Sequence, residues 1–104
     1  MKELVRAAAH VRYHQGAVMV LKIGGACLRK PRFQRALAEQ IATVQALGGR
    51  PVIVHGGGPQ IDVVQRSLGE EPRMVDGRRV TSPVALRALR MATAGELNGE
   101  LAAA

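Results

Sequence analysis

The stretch Pro51–Gln60, with the sequence PVIVHGGGPQ, constrains the fold more than any other part of this chain. Its first half is short, apolar throughout and rich in β-branched residues, which indicates a buried parallel strand. Three glycines and Pro59 follow, and then Ile61, Val64 and Leu68 recur at helical spacing. A strand that runs through a glycine turn into a helix predicts an α/β fold.

The glycine turn itself, formed by Gly56, Gly57 and Gly58, is suited to binding an anion. Glycine lets the backbone approach a ligand closely and adopt positive φ. The free N–H groups and the positive end of the following helix then face the same point. A plain tight turn also requires glycines, so the triplet alone leaves both interpretations open.

A second element of the same kind lies near the start of the chain. Residues 18–23 form an apolar stretch that ends in Gly24 and Gly25, with Lys22 two residues before the glycines. In an open α/β sheet the carboxyl ends of parallel strands share one edge, and ligands bind there. The two motifs together therefore predict a phosphate or carboxylate site. Lys22 is expected to reach into this site, and the alternative is a lysine that snorkels at the rim of the sheet.

Local patterns also predict the other elements. Helical spacing and capping signals predict helices over residues 3–14, 32–47 and 59–68, and a last helix that begins with Ser82 as its N-cap and Pro83 as its first residue. Residues 18–55 then form one right-handed βαβ unit. The expected apolar positions of the last helix are Ala85, Leu86, Leu89, Ala92 and Leu97. Gly95 and Gly99 weaken this helix. The chain reaches Ala104 without a stop signal, so we expect it to end inside a helix.

Asp76-Gly77 is a strong hairpin signal between two short β-like pieces, residues 73–75 and 79–81. Arg78 and Arg79 leave this turn. One of them is placed to contact a carboxylate as a two-pronged donor. The alternative is a pair of exposed turn arginines.

The composition excludes several classes of protein. A chain of 104 residues is at most one domain, and one Tyr, one Phe and no Trp argue against a stacking platform for single-stranded nucleic acid. The net charge of +7 comes from 15 Lys and Arg against 8 Asp and Glu, but the arginines are scattered along the chain. A solvated surface or an anionic small substrate explains this charge better than nucleic acid does.

Single reactive side chains give no further site. The lone cysteine, Cys27, excludes an internal disulfide framework, and we expect it to be a small apolar filler rather than a nucleophile. His10 and His14 have no third ligand nearby in the sequence and are expected to be surface histidines, so no metal site is predicted. The chain has no apolar run of membrane length and no secretory signal, so we expect a cytoplasmic protein that binds no membrane.

With these pieces in place, the sequence resembles the amino acid kinase family, and within it the acetylglutamate kinases. Four stretches carry the resemblance, in the order of the family and over nearly the whole chain: Val20–Ala26, Pro51–Gln60, Asp76–Thr81 and Gly95–Asn98. The string HGGGPQI is specific to this group, whereas KIGG is shared across the wider family.

The resemblance implies a three-layer α-β-α fold with a mainly parallel sheet, like that of carbamate kinase. It also implies an ATP- and Mg²⁺-dependent reaction of arginine biosynthesis. The γ-phosphoryl group would be transferred to the side-chain carboxylate of N-acetyl-L-glutamate, giving an acyl phosphate. Catalysis of this kind depends on positioning and charge neutralisation, so it requires no acid–base dyad.

The resemblance also implies a role for each site residue. Lys22 would stabilise the transferring phosphoryl group, and Arg79 would bind the α-carboxylate of the substrate. The glycine turns would supply backbone N–H groups through Gly24, Gly25, Gly56, Gly57 and Gly58.

Members of the family are considerably longer than this chain. We therefore expect residues 1–16 to be an N-terminal helix and residues 17–104 to be the N-acetylglutamate-binding half, with the ATP-binding half absent. The isolated chain is expected to bind nucleotide poorly and to turn over little substrate. The full-length protein is expected to be a homo-oligomer. The helix over residues 3–14 resembles one that links dimers into hexamers in arginine-inhibited members, although packing on its own domain is the alternative.

Three other functions stay open at this point. The chain could be the kinase-like, arginine-sensing domain of an N-acetylglutamate synthase. It could be part of a kinase for the homologous substrate aminoadipate. A basic module that binds nucleic acid is the remote alternative.

Overall fold

Two parallel strands, β1 (Val18–Ile23) and β2 (Arg50–His55), form the sheet that positions the site. They pair in register from Val18 opposite Arg50 to Ile23 opposite His55. The helix between them, α2 (Pro31–Ala46), makes the crossover that parallel neighbours require. The computed structural model describes all residues 1–104, and it confirms the predicted strand–helix–strand unit.

Four other elements agree with the predicted ones to within two residues: α1 (Lys2–Tyr13), α3 (Gly58–Ser67) and the antiparallel pair β3 (Met74–Val75) and β4 (Arg78–Arg79). The predicted last helix is divided into α4 (Pro83–Leu89), a π-helical segment (Arg90–Leu97) and α5 (Asn98–Ala103). A short 3₁₀ turn, Cys27–Arg29, leads into α2. Asp76 and Gly77 both have positive φ, 51° and 75°, as a tight hairpin turn of the primed type requires.

Only one face of the β1–β2 sheet is covered. Met19, Leu21 and Ile23 are half-buried, whereas Val20 and Lys22 on the opposite face are exposed. The same alternation runs along β2. The prediction of a buried strand is therefore wrong for one face of β2, because no element of this chain packs against that face.

The core lies at the carboxyl end of the strands and between the last helices. Leu28, Leu37 and Leu97 form one cluster of buried residues. A second cluster contains Ile61, Ala88 and Ala92, where the small alanines let α3 pack closely against the helix that follows β4. The core of this molecule is therefore divided between two small clusters.

The apolar positions of the last helix differ in part from those expected. Leu86 and Leu89, which the helical spacing placed on the apolar face, are 41% and 36% exposed. Ala85, Ala92 and Leu97, which were also expected on that face, are buried, and so is Ala88. The contact with α3 uses short side chains, and longer leucines at the edge of that contact stay in solvent.

The last helix also contains a π-helical irregularity, whereas its two glycines predicted only a weaker helix. Residues Arg90–Leu97 form a π-helical segment between α4 and α5, and the residues at both junctions keep right-handed helical φ and ψ. The start of α4 is as predicted, since the Oγ of Ser82 accepts a hydrogen bond from the backbone N–H of Ala85 at 3.0 Å.

Helix α1 projects from the rest of the molecule. None of its residues is buried, and Leu4 on its apolar side is 67% exposed. On this side only Val11, near the start of the sheet, is half-buried. No helix in the chain is long and apolar enough to cross a membrane.

Candidate functional site

The two glycine turns lie against each other at one edge of the sheet. A Cβ atom added to Gly25 would lie 2.5 Å from the Cα of Gly57 and 2.6 Å from its nitrogen. The N–H of Gly56 donates to the carbonyl of Ile23 at 2.9 Å, so the contact continues the pairing of β1 with β2. The turns therefore share one edge of the sheet, as predicted, and this edge, formed by Gly24, Gly25 and Gly56–Gly58, is named the glycine edge. Any side chain larger than hydrogen at Gly25 would separate the two turns.

Several backbone N–H groups of these turns are free. No hydrogen bond within the chain uses the N–H of Gly24, Gly25 or Gly57 as its donor. Helix α3 begins directly after them, and its N-cap, Gly57, has no side chain to cap the helix. Free amides beside the positive end of a helix form a suitable site for phosphate or carboxylate oxygens.

Gln60 connects the two turns from the side. Its Nε2 donates to the carbonyl of Gly25 at 2.7 Å, and its Oε1 is buried without a hydrogen-bond partner. The sequence motif includes this glutamine but gives no sign of the contact, because the two residues are 35 positions apart. A buried acceptor without a donor is uncommon in a folded protein.

Lys22 lies on β1 directly opposite Val54 on β2. It is exposed and shares the open face of the sheet with Val20. Only one residue, Ile23, separates it from Gly24 along the chain. The role of its ammonium group in binding stays a prediction.

The two arginines of the hairpin differ sharply in their surroundings. Arg78 is exposed, whereas the side chain of Arg79 is 12% exposed. The Nη1 of Arg79 donates to Oε1 of Gln65 at 2.7 Å, and its Nη2 donates to Oδ1 of Asp62 at 2.6 Å and to the carbonyl of Gly58 at 3.2 Å. The hairpin therefore brings the guanidinium of Arg79 next to the last glycine of the second turn.

The π-helical segment supports the second turn from behind. A Cβ atom on Gly57 would lie 2.8 Å from Cγ2 of Thr93 and 3.5 Å from Cδ2 of Leu97. No local sequence pattern marks Thr93 as part of the site. The GELN motif, Gly95–Asn98, begins two residues after it.

The other candidate side chains are not part of this edge. Cys27 is exposed, so the expectation that it fills an apolar gap is wrong, because the short 3₁₀ turn carries it on the surface. His10 on α1 and His14, the residue that follows this helix, are exposed and are surface histidines, as expected. No group of three or more His, Cys, Asp or Glu side chains could hold a metal ion.

Sequence comparison agrees with this geometry. A family model described as "Amino acid kinase family" matches residues 17–104. The acetylglutamate kinase of Myxococcus xanthus is 44% identical over 100 residues, which cover 96% of this chain and 32% of that protein. The acetylglutamate kinase of Rhizorhabdus wittichii is 41% identical over 98 residues, which cover 94% of this chain and 33% of that protein. The chain thus spans about a third of the length of the curated relatives it matches.

Comparison with solved structures gives the same fold. This chain superposes on N-acetylglutamate synthase from Neisseria gonorrhoeae, in its complex with coenzyme A and L-arginine, with a TM-score of 0.79 and 28% sequence identity. It covers 96% of this chain and 23% of that one. The expected fold class is confirmed, and the chain belongs to the amino acid kinase family.

Proposed function

We propose that this chain is the acceptor-substrate part of an acetylglutamate kinase. The observation that supports the proposal is the contact between the two glycine turns, which contain backbone N–H groups that donate to no group of the chain. The names of the similar curated proteins support the choice of N-acetyl-L-glutamate as the acceptor.

In this proposal the residues of the glycine edge act by binding the negatively charged oxygens of the phosphoryl group. ATP would supply the γ-phosphoryl group, and a carboxylate oxygen of N-acetyl-L-glutamate would attack its phosphorus as the bond to the β-phosphate oxygen breaks. Lys22 and the amides of Gly24, Gly25 and Gly57 would hold the phosphoryl oxygens, where negative charge is greatest. The amides of Gly56 and Gly58 belong to the same turn, although the N–H of Gly56 is already used by Ile23.

The fit of these residues to the two expected cofactors differs. Free amides and an exposed ammonium group suit the phosphoryl end of ATP. The chain contains no cluster of ligating side chains for a metal, so its residues do not by themselves form a Mg²⁺ site.

Arg79 would bind the α-carboxylate of the substrate. An arginine has five N–H donors, and the three hydrogen bonds of Arg79 leave its Nε–H and one Nη1–H free. Its position beside Gly58 would place the bound acceptor next to the glycine edge, where the phosphoryl group is held.

Isothermal titration of the chain with N-acetyl-L-glutamate tests this proposal. We expect Arg79→Ala to lose detectable binding, since a charge-assisted pair with a carboxylate is lost. Arg78→Ala is the matched control, because this neighbouring arginine is exposed and should leave the affinity within about twofold of the unsubstituted chain. Equal binding by the unsubstituted chain and Arg79→Ala would remove Arg79 from the site, and no binding by the unsubstituted chain would contradict the proposed substrate.

A second function, the kinase-like domain of an N-acetylglutamate synthase, has a specific observation in its favour. The synthase of Neisseria gonorrhoeae matches this chain with TM-scores of 0.79 and 0.75 in two complexes, the second with coenzyme A and N-acetyl-glutamate. Sequencing the transcript beyond codon 104 separates the two functions. A following acetyltransferase domain would establish the synthase, and a second glycine-rich kinase half would establish the kinase.

A further inference from the structure

Three oxygen atoms on one face of α3 hold the guanidinium of Arg79. Gly58, Asp62 and Gln65 are spaced by four and three residues, so they lie along one side of the helix. Gln65 is 1% exposed and is among the most buried side chains of the molecule. Arg79 crosses from β4 to this face, and both of its Nη atoms are bound there.

Among these three partners, only Asp62 carries a charge. Its Oδ1 lies 2.6 Å from Nη2, which is the shortest of the three contacts, and its side chain is 27% exposed. The second ion pair of α3, between Arg66 and Glu71, is longer at 3.3 Å, and its side chains are 54% and 81% exposed. A charge-assisted hydrogen bond in partial shelter from water is much stronger than an exposed one.

We propose that Asp62 is the residue that positions Arg79 for a ligand carboxylate. The proposal rests on the proposed function, in which Arg79 binds the α-carboxylate of the acceptor. Arginine has a long side chain that loses much conformational freedom when it is fixed. Asp62 fixes it before the ligand arrives, so binding does not have to order the side chain again.

A competing role for Asp62 predicts the opposite effect. If its carboxylate occupied the place of the ligand, removing it would strengthen binding. The geometry favours positioning, because Asp62 uses only one N–H of Nη2 and the Nε–H of Arg79, which lies on another side of the guanidinium from its free Nη1–H, still has a hydrogen to donate to a second carboxylate.

Titration with N-acetyl-L-glutamate distinguishes these roles by the direction of the change. We expect Asp62→Ala to bind about tenfold more weakly than the unsubstituted chain, and Asp62→Glu, which keeps the carboxylate, to recover most of that loss. Glu71→Ala removes the other ion pair of the same helix and should leave the affinity unchanged. Tighter or equal binding by Asp62→Ala would overturn the proposal.

A second measurement separates this proposal from the proposed function. The ¹⁵N relaxation of the Nε–H group of Arg79 reports whether its side chain is held, with no ligand present. We expect an ordered group in the unsubstituted chain and in Glu71→Ala, and a mobile group in Asp62→Ala with the backbone spectrum retained. An equally ordered Arg79 in Asp62→Ala would overturn the proposal, even if N-acetyl-L-glutamate failed to bind and the proposed function were wrong.

Discussion

At the scale of single residues, two neighbouring glycines carry different constraints. Gly25 touches the backbone of Gly57, whereas a Cβ atom on Gly24 would meet nothing within 4 Å. Neither has positive φ, so the difference between them is one of space and not of backbone conformation. The contact at Gly25 sets the separation of the two turns and therefore the spacing of the amides at the site.

Substitution of Gly25 by alanine tests this constraint. The added methyl group must push the two turns apart, because the atoms it meets belong to the backbone and cannot rotate away. We expect Gly25→Ala to lower the free energy of unfolding by about 1–3 kcal/mol, measured by chemical denaturation. Gly24→Ala is the matched control and should change it by less than about 1 kcal/mol. An equal loss in both variants would contradict the role of the contact.

Residues of the site that sequence reasoning missed share a physical reason. Residue type and spacing pointed to Lys22, the glycines and one of the two hairpin arginines, and the family resemblance selected Arg79. Gln60 and Asp62 act on residues 35 and 17 positions away, and such contacts exist only once the chain has folded. Local sequence patterns do not indicate which distant residue a polar side chain will contact in the folded protein.

At the scale of elements, the start of α4 is held by one hydroxyl group in two ways. The Oγ of Ser82 accepts from the N–H of Ala85 at 3.0 Å and donates to Oε2 of Glu70 at 2.7 Å. The first bond caps the helix, and the second ties the helix start to the segment that follows α3. The hydroxyl of this half-buried residue therefore links the start of α4 to the segment that follows α3.

Replacing Ser82 by alanine removes both bonds. We expect a loss of about 1 kcal/mol in the free energy of unfolding, within the range measured for lost N-caps. Ser67→Ala is the control, because the hydroxyl of Ser67 only donates to the carbonyl of Val64 within its own helix. Denaturation curves that coincide for the two variants would show that the cap does not stabilise the fold.

The bounds of the helices and strands were more predictable than the contacts that each of them makes with its neighbours. Hydrophobic period, glycine and proline mark where helices and strands begin and end, and these signals are local. The open face of β2 and the exposed Leu86 depend on which elements pack together, so an apolar pattern could not distinguish a covered face from an open one. The π-helical segment was missed because glycine in a helix indicates weakness but not the type of irregularity.

At the scale of the whole molecule, the chain is extended for its length. Its radius of gyration is 17.7 Å, compared with about 13 Å for a compact domain of 100 residues. Four valines form an exposed apolar stripe on the open face of the sheet: Val18, Val20, Val52 and Val54. Contiguous apolar surface of this kind favours association.

Self-association of the isolated chain tests this stripe. Val20 and Val52 lie directly opposite each other and are 66% and 47% exposed. We expect the double variant Val20→Thr/Val52→Thr to associate less in sedimentation experiments across a range of concentrations. Its free energy of unfolding should change by no more than about 1 kcal/mol, because both side chains are at the surface.

The control for this experiment is Leu4→Ser on α1. Leu4 is 67% exposed but lies outside the sheet, so this variant should associate like the unsubstituted chain. If Leu4→Ser instead abolished association while the threonine variant retained it, the apolar side of α1 would be the contact surface.

The π-helical segment has a consequence for how this chain tolerates changes in length. A π-helical hydrogen bond spans five residues where an α-helical one spans four, so the segment from Arg90 to Leu97 accommodates an additional residue within a continuous helix. Deleting one residue there would let the segment rewind as α-helix while α5 kept its orientation relative to α4. A single-codon deletion, disruptive in most helices, would therefore be absorbed at this one place in the chain.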